Sequence, residues 1–379
     1  MRLTTSARAR NLQLRFYSQL HKAMQAAKEM AVRQREWHAQ MTSPAVSVIM
    51  SVYNGAEDVP TAVASILKQS FADLELIVID DASPSDNSAE VIRSLHEELG
   101  DPRLRIELLQ QNRGLAGALN HGISLARGRY IARQDQDDVS LPERLARQVG
   151  YLEAHGDCGL LGTRAEIRIA DAPTGRHHMH PVADPELKFA LLFNNPFVHS
   201  SVMLPRHVFD VVGLYTTDRN RQPPEDFELW SRIARRFRVG NLEDSLLIYR
   251  EVPKSMSRVG PNPFLKKLVT IGAENLAFTS GMPEPDMACR ETAALMNAGY
   301  DEASGTVELP AMERLVTSAA KAIEAASPGA DLSGQLREAL ANLAHHYAIR
   351  HSRAAPEGAV QSLMGRLPIP TALRRRLGG

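Results

Sequence analysis

Between residues 46 and 132, four short, β-branched apolar runs alternate with amphipathic segments of helix length. This alternation constrains the fold more than any other feature. Val46 to Val52, Leu74 to Ile79, Leu104 to Leu109 and Tyr130 to Ala132 read as buried strands, because they are short, rich in β-branched residues and bounded by polar turns. Asp58 to Gln69, Asn87 to Leu99 and Leu115 to Ala126 read as helices. Strand, helix, strand at this spacing implies parallel pairing through right-handed crossovers. The predicted class is therefore α/β, with an open sheet or half-barrel of nucleotide-binding size.

Further along, Ser140-Leu141-Pro142-Glu143 has the form of a helix start, with Ser140 as cap and Glu143 completing a capping box, and the helix is expected to run to about His155. Residues 158–249 are less regular. They predict an Asp171-to-Gly175 turn between two short strands, a helix near 185–193 and another near Phe227 to Phe237. From about residue 260 the chain is Ala-rich and helical, with breaks at Gly281 to Pro285, Pro310, Ser327 to Gly329 and Pro356. These features suggest a small helical module over 259–379. The opposite end, residues 1–43, carries eight Arg or Lys against Glu29 and Glu36. Leu12, Phe16, Leu20, Met24, Ala27 and Ala31 give it an apolar stripe, so it reads as a basic amphipathic helical extension. Such a segment suits peripheral contact with an anionic membrane surface, and equally packing on its own catalytic domain or on a second subunit of a homodimer.

Lys plus Arg and Asp plus Glu balance at 44 each, so no global field favours nucleic acid as a partner. Cys158 and Cys289 are the only cysteines, which points to buried free thiols in a reducing compartment and a cytoplasmic location. No apolar run approaches the ~20 residues that span a bilayer. Any membrane association is then peripheral, at the inner face.

In a parallel α/β sheet, ligands bind beyond the carboxyl ends of the strands. Three of the four predicted strand ends carry informative polar residues. After the first, Tyr53 can flank a flat base and Asn54-Gly55 permits a tight turn. After the second, Asp81 can accept hydrogen bonds from a pyrimidine imide or a ribose, or serve as a turn carboxylate before the next helix. The fourth leads into Asp135-Gln136-Asp137-Asp138. Two carboxylates one residue apart after a buried strand can share a divalent cation with a diphosphate; the alternative is a solvated acidic turn. Downstream, Glu225 and Asp226 fall at the first turn of an amphipathic helix, where the macrodipole favours negative charge and a general base can also stand. His199 suits either a place beside metal and acceptor or a core position. His177, His178 and His180 lack partners at ligand spacing and read as a surface loop. Asn112 to Gly117 opens a helix that can bring backbone N–H groups or Arg113 near a phosphate, but without the spacing of a dinucleotide fold or a P-loop.

Taken in order, Val46-Ser-Val-Ile-Met-Ser-Val-Tyr-Asn-Gly55, Leu74-Glu-Leu-Ile-Val-Ile-Asp-Asp-Ala-Ser83, Asn112 to Gly122, Gly128 to Asp138 and Glu225-Asp-Phe-Glu-Leu-Trp230 resemble a family 2 glycosyltransferase. Five segments in register make the resemblance specific over residues 45–258, and it is silent about both ends. It implies a GT-A nucleotide-diphospho-sugar transferase fold over 44–258, a Rossmann-like mixed sheet flanked by helices. It also implies an inverting single displacement from a nucleotide-diphosphate sugar, a UDP-sugar favoured, to the hydroxyl of a glycan, lipid-linked or protein-linked acceptor in surface-polysaccharide synthesis. By similarity Asp81 binds the base, Asp135 the ribose or diphosphate, Asp137 a Mn²⁺ or Mg²⁺ ion, and Asp226 is the catalytic base, with Glu225 next in line. The Gln-x-x-Arg-Trp motif of processive, membrane-embedded members is absent, so single-sugar transfer is expected. After Tyr249-Arg250, the stretch Glu251 to Arg258 resembles a loop that closes the donor site, but lacks a His often found there. A nucleotidyltransferase is the first rival, yet Ser51 to Gly55 does not supply its Gly-rich basic loop. A non-catalytic nucleotide-sugar-binding scaffold is the second.

Overall fold

β1 (Val46–Val52) and the neighbouring run Leu74–Asp80 are buried at every position, as strands covered on both faces must be. Each fully buried Val or Ile contributes about 1.5–3 kcal/mol of transfer free energy, which makes this pair the anchor of the sheet. The computed structural model describes residues 43–169, 171–251 and 263–353. The expectations for residues 1–42, for Pro356 and for the loop after Glu251 lie outside them. The chain divides into two units at Ala45/Val46, and the described elements belong to the second.

In chain order, β1 is followed by α1 (Val59–Leu67), β2 (Leu74–Asp80), α2 (Ser88–Leu99), β3 (Leu104–Leu108), α3 (Gly114–Leu125) and β4 (Tyr130–Asp135). All three predicted helices and four predicted strands are present within a few residues. Strand β4 continues three residues past the predicted Ala132, so Asp135 ends a strand instead of sitting in a loop. Then come β5 (Val139–Ser140), α4 (Arg144–Ala154), β6 (Cys158–Ile169), β7 (Ala172–His178), α5 (Asp184–Ala190), β8 (Met203–Pro205), α6 (Val208–Val212), α7 (Glu225–Ala234) and β9 (Arg238–Glu251). The described strands form one sheet in the order β3-β2-β1-β4-β8-β6-β9-β5, with β7 paired to β6. β3, β2, β1 and β4 are mutually parallel; β8 is antiparallel to β4 and β6, and β6 and β9 run parallel to each other.

Helix α3 lies close on β1 and β2 because Gly122 has no side chain: a Cβ there would stand 2.6 Å from Ile49 and 2.7 Å from Ile79. The main core joins these residues to Phe197, Phe227, Trp230 and Ile271. A second core is built from α8 (Leu265–Thr279), α9 (Met287–Met296), α10 (Leu309–Ala326) and α11 (Ser333–Arg353), and it also takes in Phe189, Leu192 and Phe193 from α5 and the turn after it. The tail helices are thus packed against the α5 region through a shared apolar layer. Among the described residues no helix is long and apolar enough to cross a membrane. Both cysteines are buried and free.

Several local expectations are corrected. Ser140 is not a helix cap: it pairs with Leu247 as part of β5, its hydroxyl donates to Gln134 Oε1 at 2.7 Å, and α4 starts after Glu143 with no side-chain cap. The predicted Asp171-to-Gly175 turn shrinks to the bend before β7, because Asp171 itself takes a left-handed φ of 65°. Gly175, at φ 70°, instead accommodates a register slip opposite Ile167 and Arg168. His177 and His178 consequently end a strand, and His178 packs edge-on against Tyr249 at 5.0 Å. Pro310 opens α10 at its first turn and does not interrupt it, as its missing N–H permits.

One buried charge ties the sheet's far end together. Glu75 accepts from the Ser47 hydroxyl (2.7 Å), from Arg105 (2.8 Å) and from the Arg127 backbone (2.8 Å). Burial pushes its pKa up, but these hydrogen bonds outweigh it and hold the carboxyl below 4.5. A depressed folded pKa means stability that is complete above the unfolded value and lost as pH falls through the folded one. Glu75→Gln should therefore destabilise the protein at pH 7, and its deficit against wild type should narrow below pH 4.5. Urea denaturation at neutral and acid pH measures this, and a gap independent of pH would refute it.

Candidate active site

Because β1, β2 and β4 are parallel and in register, with Val52 beside Asp80 and Ser51 beside Asp135, their last residues share one edge of the sheet. That edge collects Tyr53, Asn54, Asp81 and the acidic run from Asp135, drawn from strands ~4.8 Å apart.

Asp81 is buried, and its Oδ1 accepts from the Arg113 backbone N–H at 2.7 Å. Asn112 donates to the Asp81 carbonyl at 3.1 Å. Burial pushes the Asp81 carboxyl up, against the hydrogen bonds from the Arg113 and Gly114 backbones. The Asn112-Arg113 turn is thus a clamp on Asp81, while the Arg113 side chain is exposed. Asn54 adopts φ 52°, its N–H donates to Ser83 Oγ at 2.9 Å, and its side-chain oxygen accepts from the Ser85 N–H at 3.1 Å. It fastens the first strand-end loop to the second. Tyr53 is 46% exposed, with its ring free to meet a flat ligand.

The Tyr53 backbone is held by Gln136. The Gln136 carboxamide accepts from the Tyr53 N–H at 2.7 Å and donates to the Tyr53 carbonyl at 3.3 Å. Gly55 makes room for it, since a Cβ there would meet the Gln136 side chain at 2.5 Å.

Beneath this loop the neighbouring Gln134 is 0% exposed. Its Nε2 donates to the Asp135 carbonyl (3.1 Å) and the Asp138 carbonyl (2.9 Å), and its Oε1 accepts from Ser140 (2.7 Å) and Arg144 (3.0 Å). Those are all four hydrogen bonds a carboxamide can make. Arg144 is also 0% exposed, with its donors directed to Gln134, Ser140, Gln148 and the carbonyls of Arg133 and Val202. Burial pulls its pKa down to about 9, and the charge of Asp138 holds it up in part.

The acidic run is crowded. Asp135 is paired with the buried Arg133, and its backbone N–H donates to Ser200 at 2.9 Å. Asp137 is pushed up to about 6, first by burial and then by the charge of Asp135. Asp138 is driven well above the carboxylate range by burial, Asp135 and Asp137. Its Oδ1 accepts from the Arg250 backbone at 3.0 Å; Oδ2 has no hydrogen-bond partner, although the nearby Ser200 hydroxyl moderates the shift. Arg250 also donates to Asp58 at 2.6 Å and to the Asp137 carbonyl at 3.3 Å, so β9 is tied across to the loop.

Glu225 and Asp226 open α7, as the sequence predicts. Asp226 Oδ2 accepts from Asn195 Nδ2 at 2.7 Å, and Oδ1 from the Phe227 N–H at 2.7 Å. Glu225 is buried and pushed up to about 7 by burial and by Asp226, while Arg133 counteracts. The charges of Arg133 and Asp135 act on Glu225, on His199 and on Tyr215, which brings the strand end and the helix start into one electrostatic site. His199 Nε2 lies 3.0 Å from the Tyr215 hydroxyl and its ring packs edge-on against Trp230. Burial lowers it to about 4, so it is a neutral wall residue at physiological pH.

Among the described residues no three His, Cys, Asp or Glu are grouped to hold a metal by themselves. The donors nearest such a role are carboxylates whose protons are retained first by burial and then by mutual repulsion, both of which a hard dication offsets. Mg²⁺-type ions are commonly held by one or two carboxylates plus substrate phosphates, so the residues fit the group if a diphosphate completes the shell.

Residue type and spacing do not single out four residues of this candidate site. Arg133, Gln134, Asn195 and Arg250 act through contacts to residues distant in the chain or through burial. The Asn194-Asn195-Pro196 turn ahead of His199 was the available hint for one of them.

Comparison with known proteins agrees over this region. The family model described as Glycosyl transferase family 2 matches residues 47–213. EpsE of Bacillus subtilis (strain 168) is 34% identical over 220 residues, covering 57% of this chain and 77% of the relative. The O-antigen biosynthesis glycosyltransferase WbnJ of Escherichia coli is 32% identical over 216 residues, covering 56% and 82%. Among solved structures, S. aureus TarS 1–349 in complex with UDP-GlcNAc superposes with a TM-score of 0.53 at 16% identity, covering 82% of this chain and 91% of that one, a likeness of fold. Two relatives matched over most of their own length, at identities where fold and family are shared, establish that this chain belongs to glycosyl transferase family 2.

Proposed function

We propose that this enzyme transfers one sugar, with inversion, from a nucleotide-diphosphate sugar to a hydroxyl acceptor in the synthesis of a surface polysaccharide. Membership of the family sets aside the nucleotidyltransferase reading. The observation that carries the reading is that Asp81 and the Asp135–Asp137 run share one edge of the sheet, with the buried Arg133 acting on both that run and the Glu225-Asp226 helix start. WbnJ is named for O-antigen biosynthesis and AmsE of Erwinia amylovora for amylovoran biosynthesis, which supports a glycan or lipid-linked acceptor of that class. TarS was solved with UDP-GlcNAc, which supports a UDP-sugar as donor.

In this reading the base stacks by Tyr53 and is recognised at Asp81, whose orientation the Arg113 backbone sets. Asp135, held by Arg133, faces the ribose or diphosphate. Asp137 would hold Mn²⁺ or Mg²⁺ against the diphosphate, and the ion supplies charge neutralisation for the departing nucleoside diphosphate. Asp226, fixed by Asn195 and the Phe227 N–H, takes the acceptor hydroxyl proton as that oxygen bonds to the anomeric carbon and the carbon–phosphate oxygen bond breaks. Holding donor and acceptor side by side supplies much of the remaining rate enhancement. The enzyme works in the cytoplasm, and the basic segment 1–43 suits it to the inner membrane face or to a dimer contact.

The test is a donor screen over UDP-, GDP- and dTDP-sugars with Mn²⁺. A UDP-sugar should give the highest turnover, and Asp137→Ala should reduce it about 100-fold or more. Equal turnover in wild type and variant would remove the metal role. Asp226→Asn should bind UDP as wild type does by calorimetry while transfer falls by about 10²–10⁴. If transfer survives, the base is reassigned to Glu225.

A milder substitution reports on the loop that carries Tyr53. Gln136→Ala frees the Tyr53 backbone without touching a carboxylate. Donor KM should rise several-fold with kcat within about twofold, the signature of lost ground-state positioning. A fall confined to kcat would contradict that assignment.

A further inference from the structure

Away from the strand ends, a half-open cavity of about 250 Å³ lies between α5, α7, α8 and α10. Leu191, Leu192, Phe278 and Ile323 contribute apolar wall. Two cations, Lys188 and Arg235, also line it, and no Asp or Glu does. Lys188 is paired with Asp184 at 3.2 Å. Arg235 is not paired with any carboxylate among the described residues: its Nη2 donates to the neutral Asn275 Oδ1 at 2.8 Å, its guanidinium stacks over Phe278 at 5.0 Å, and its Nε is buried with no partner.

The acids that Arg235 feels are committed elsewhere. Glu274 forms a two-pronged pair with Arg221 at 2.9 and 2.8 Å, and Glu228 is bound by Arg232 at 2.7 Å. Burial, with Arg221 and Arg232 nearby, lowers the Arg235 pKa from its usual value. The buried Nε is closed to a ligand, but Nη1 makes no hydrogen bond either among the described residues, and at the half-open cavity an oxyanion can complete it. The apolar part of the wall, Leu191, Leu192, Phe278 and Ile323, favours apolar atoms beside that head. The two requirements together select an amphipathic anion.

We propose that this cavity is a second ligand site, separate from the donor site, for a phosphate or carboxylate carrying a short apolar tail, with the head on Arg235 and the tail against Leu191, Leu192 and Ile323. Lys188 adds positive charge at the lining. Ser231 and Asn275, hydrogen-bonded to each other at 2.8 Å, form the polar part of the wall. A head group of a membrane lipid and a free alkyl phosphate present the same chemistry.

Hexyl phosphate titrated calorimetrically into the full chain should show saturable one-to-one binding. Inorganic phosphate and hexanol should each bind about tenfold or more weakly, one lacking the tail and the other the charge. Arg235→Met should weaken hexyl phosphate about tenfold or more. Ala322→Phe, at an exposed position of the lining, should block it from the opposite side and keeps the test valid should the first variant fold poorly. Asp137→Ala should bind it like wild type. Vesicles containing an anionic lipid, compared with neutral ones, separate the sources: competition by the anionic vesicles assigns a lipid head group, and its absence assigns a soluble alkyl anion. No saturable binding, undiminished binding in a folded Arg235→Met or in Ala322→Phe, hexanol binding as tightly as hexyl phosphate, or loss of binding in Asp137→Ala would each overturn the proposal.

Discussion

The acidic loop depends on one buried carboxamide. Gln134 sits under Asp135 and Asp138, and its four hydrogen bonds satisfy two carbonyls of the turn while drawing in Ser140 and Arg144. In a medium of low dielectric, an unpaired carbonyl costs about 1–3 kcal/mol, so the loop can fold back on itself only where such a partner exists. Arg144 extends the same logic, joining the strand end, α4 and the turn before β8 through neutral acceptors. The position of Asp137 follows from this packing together with the Arg250 contact to its carbonyl.

Charge repulsion is the second organising force. Asp135, Asp137 and Asp138 follow one another within four residues, and Arg133, Arg144 and Arg250 are placed around them from three different elements. Burial, with that repulsion added to it, still leaves Asp137 and Asp138 reluctant to ionise. On the other side of Arg133, Glu225 and Asp226 repel each other, and the α7 N-terminus and Asn195 stabilise Asp226. Stability alone would favour diluting these charges, and their concentration at one sheet edge marks the candidate site.

The core of the fold was legible because it rests on local pattern. Short, mainly apolar and β-branched runs bounded by polar turns read as strands buried on both faces, and β1 and β2 are. Helix starts were less legible. Ser140 has the composition of a cap, yet long-range demand for its hydroxyl by Gln134 and Arg144 and for its backbone by β9 outweighed the local preference. The Asp171 turn was misplaced for a similar reason, as pairing of β7 with β6 drew Pro173 to Gly175 into the strand.

The sequence by itself determined which carboxylates stand at strand ends and at a helix start, since periodicity and turn chemistry are encoded within a dozen residues. It also determined, through five motifs in register, the family. Only the tertiary structure decided which atoms remain available. Asn54 is committed to Ser83 and Ser85, His199 faces Tyr215 and Trp230, Gln136 grips Tyr53 across 83 residues of chain, and Asn195 orients Asp226 across 31. Hydrogen bonds and desolvation act over a few ångströms of space regardless of separation along the chain, so residue type and spacing alone do not reveal them.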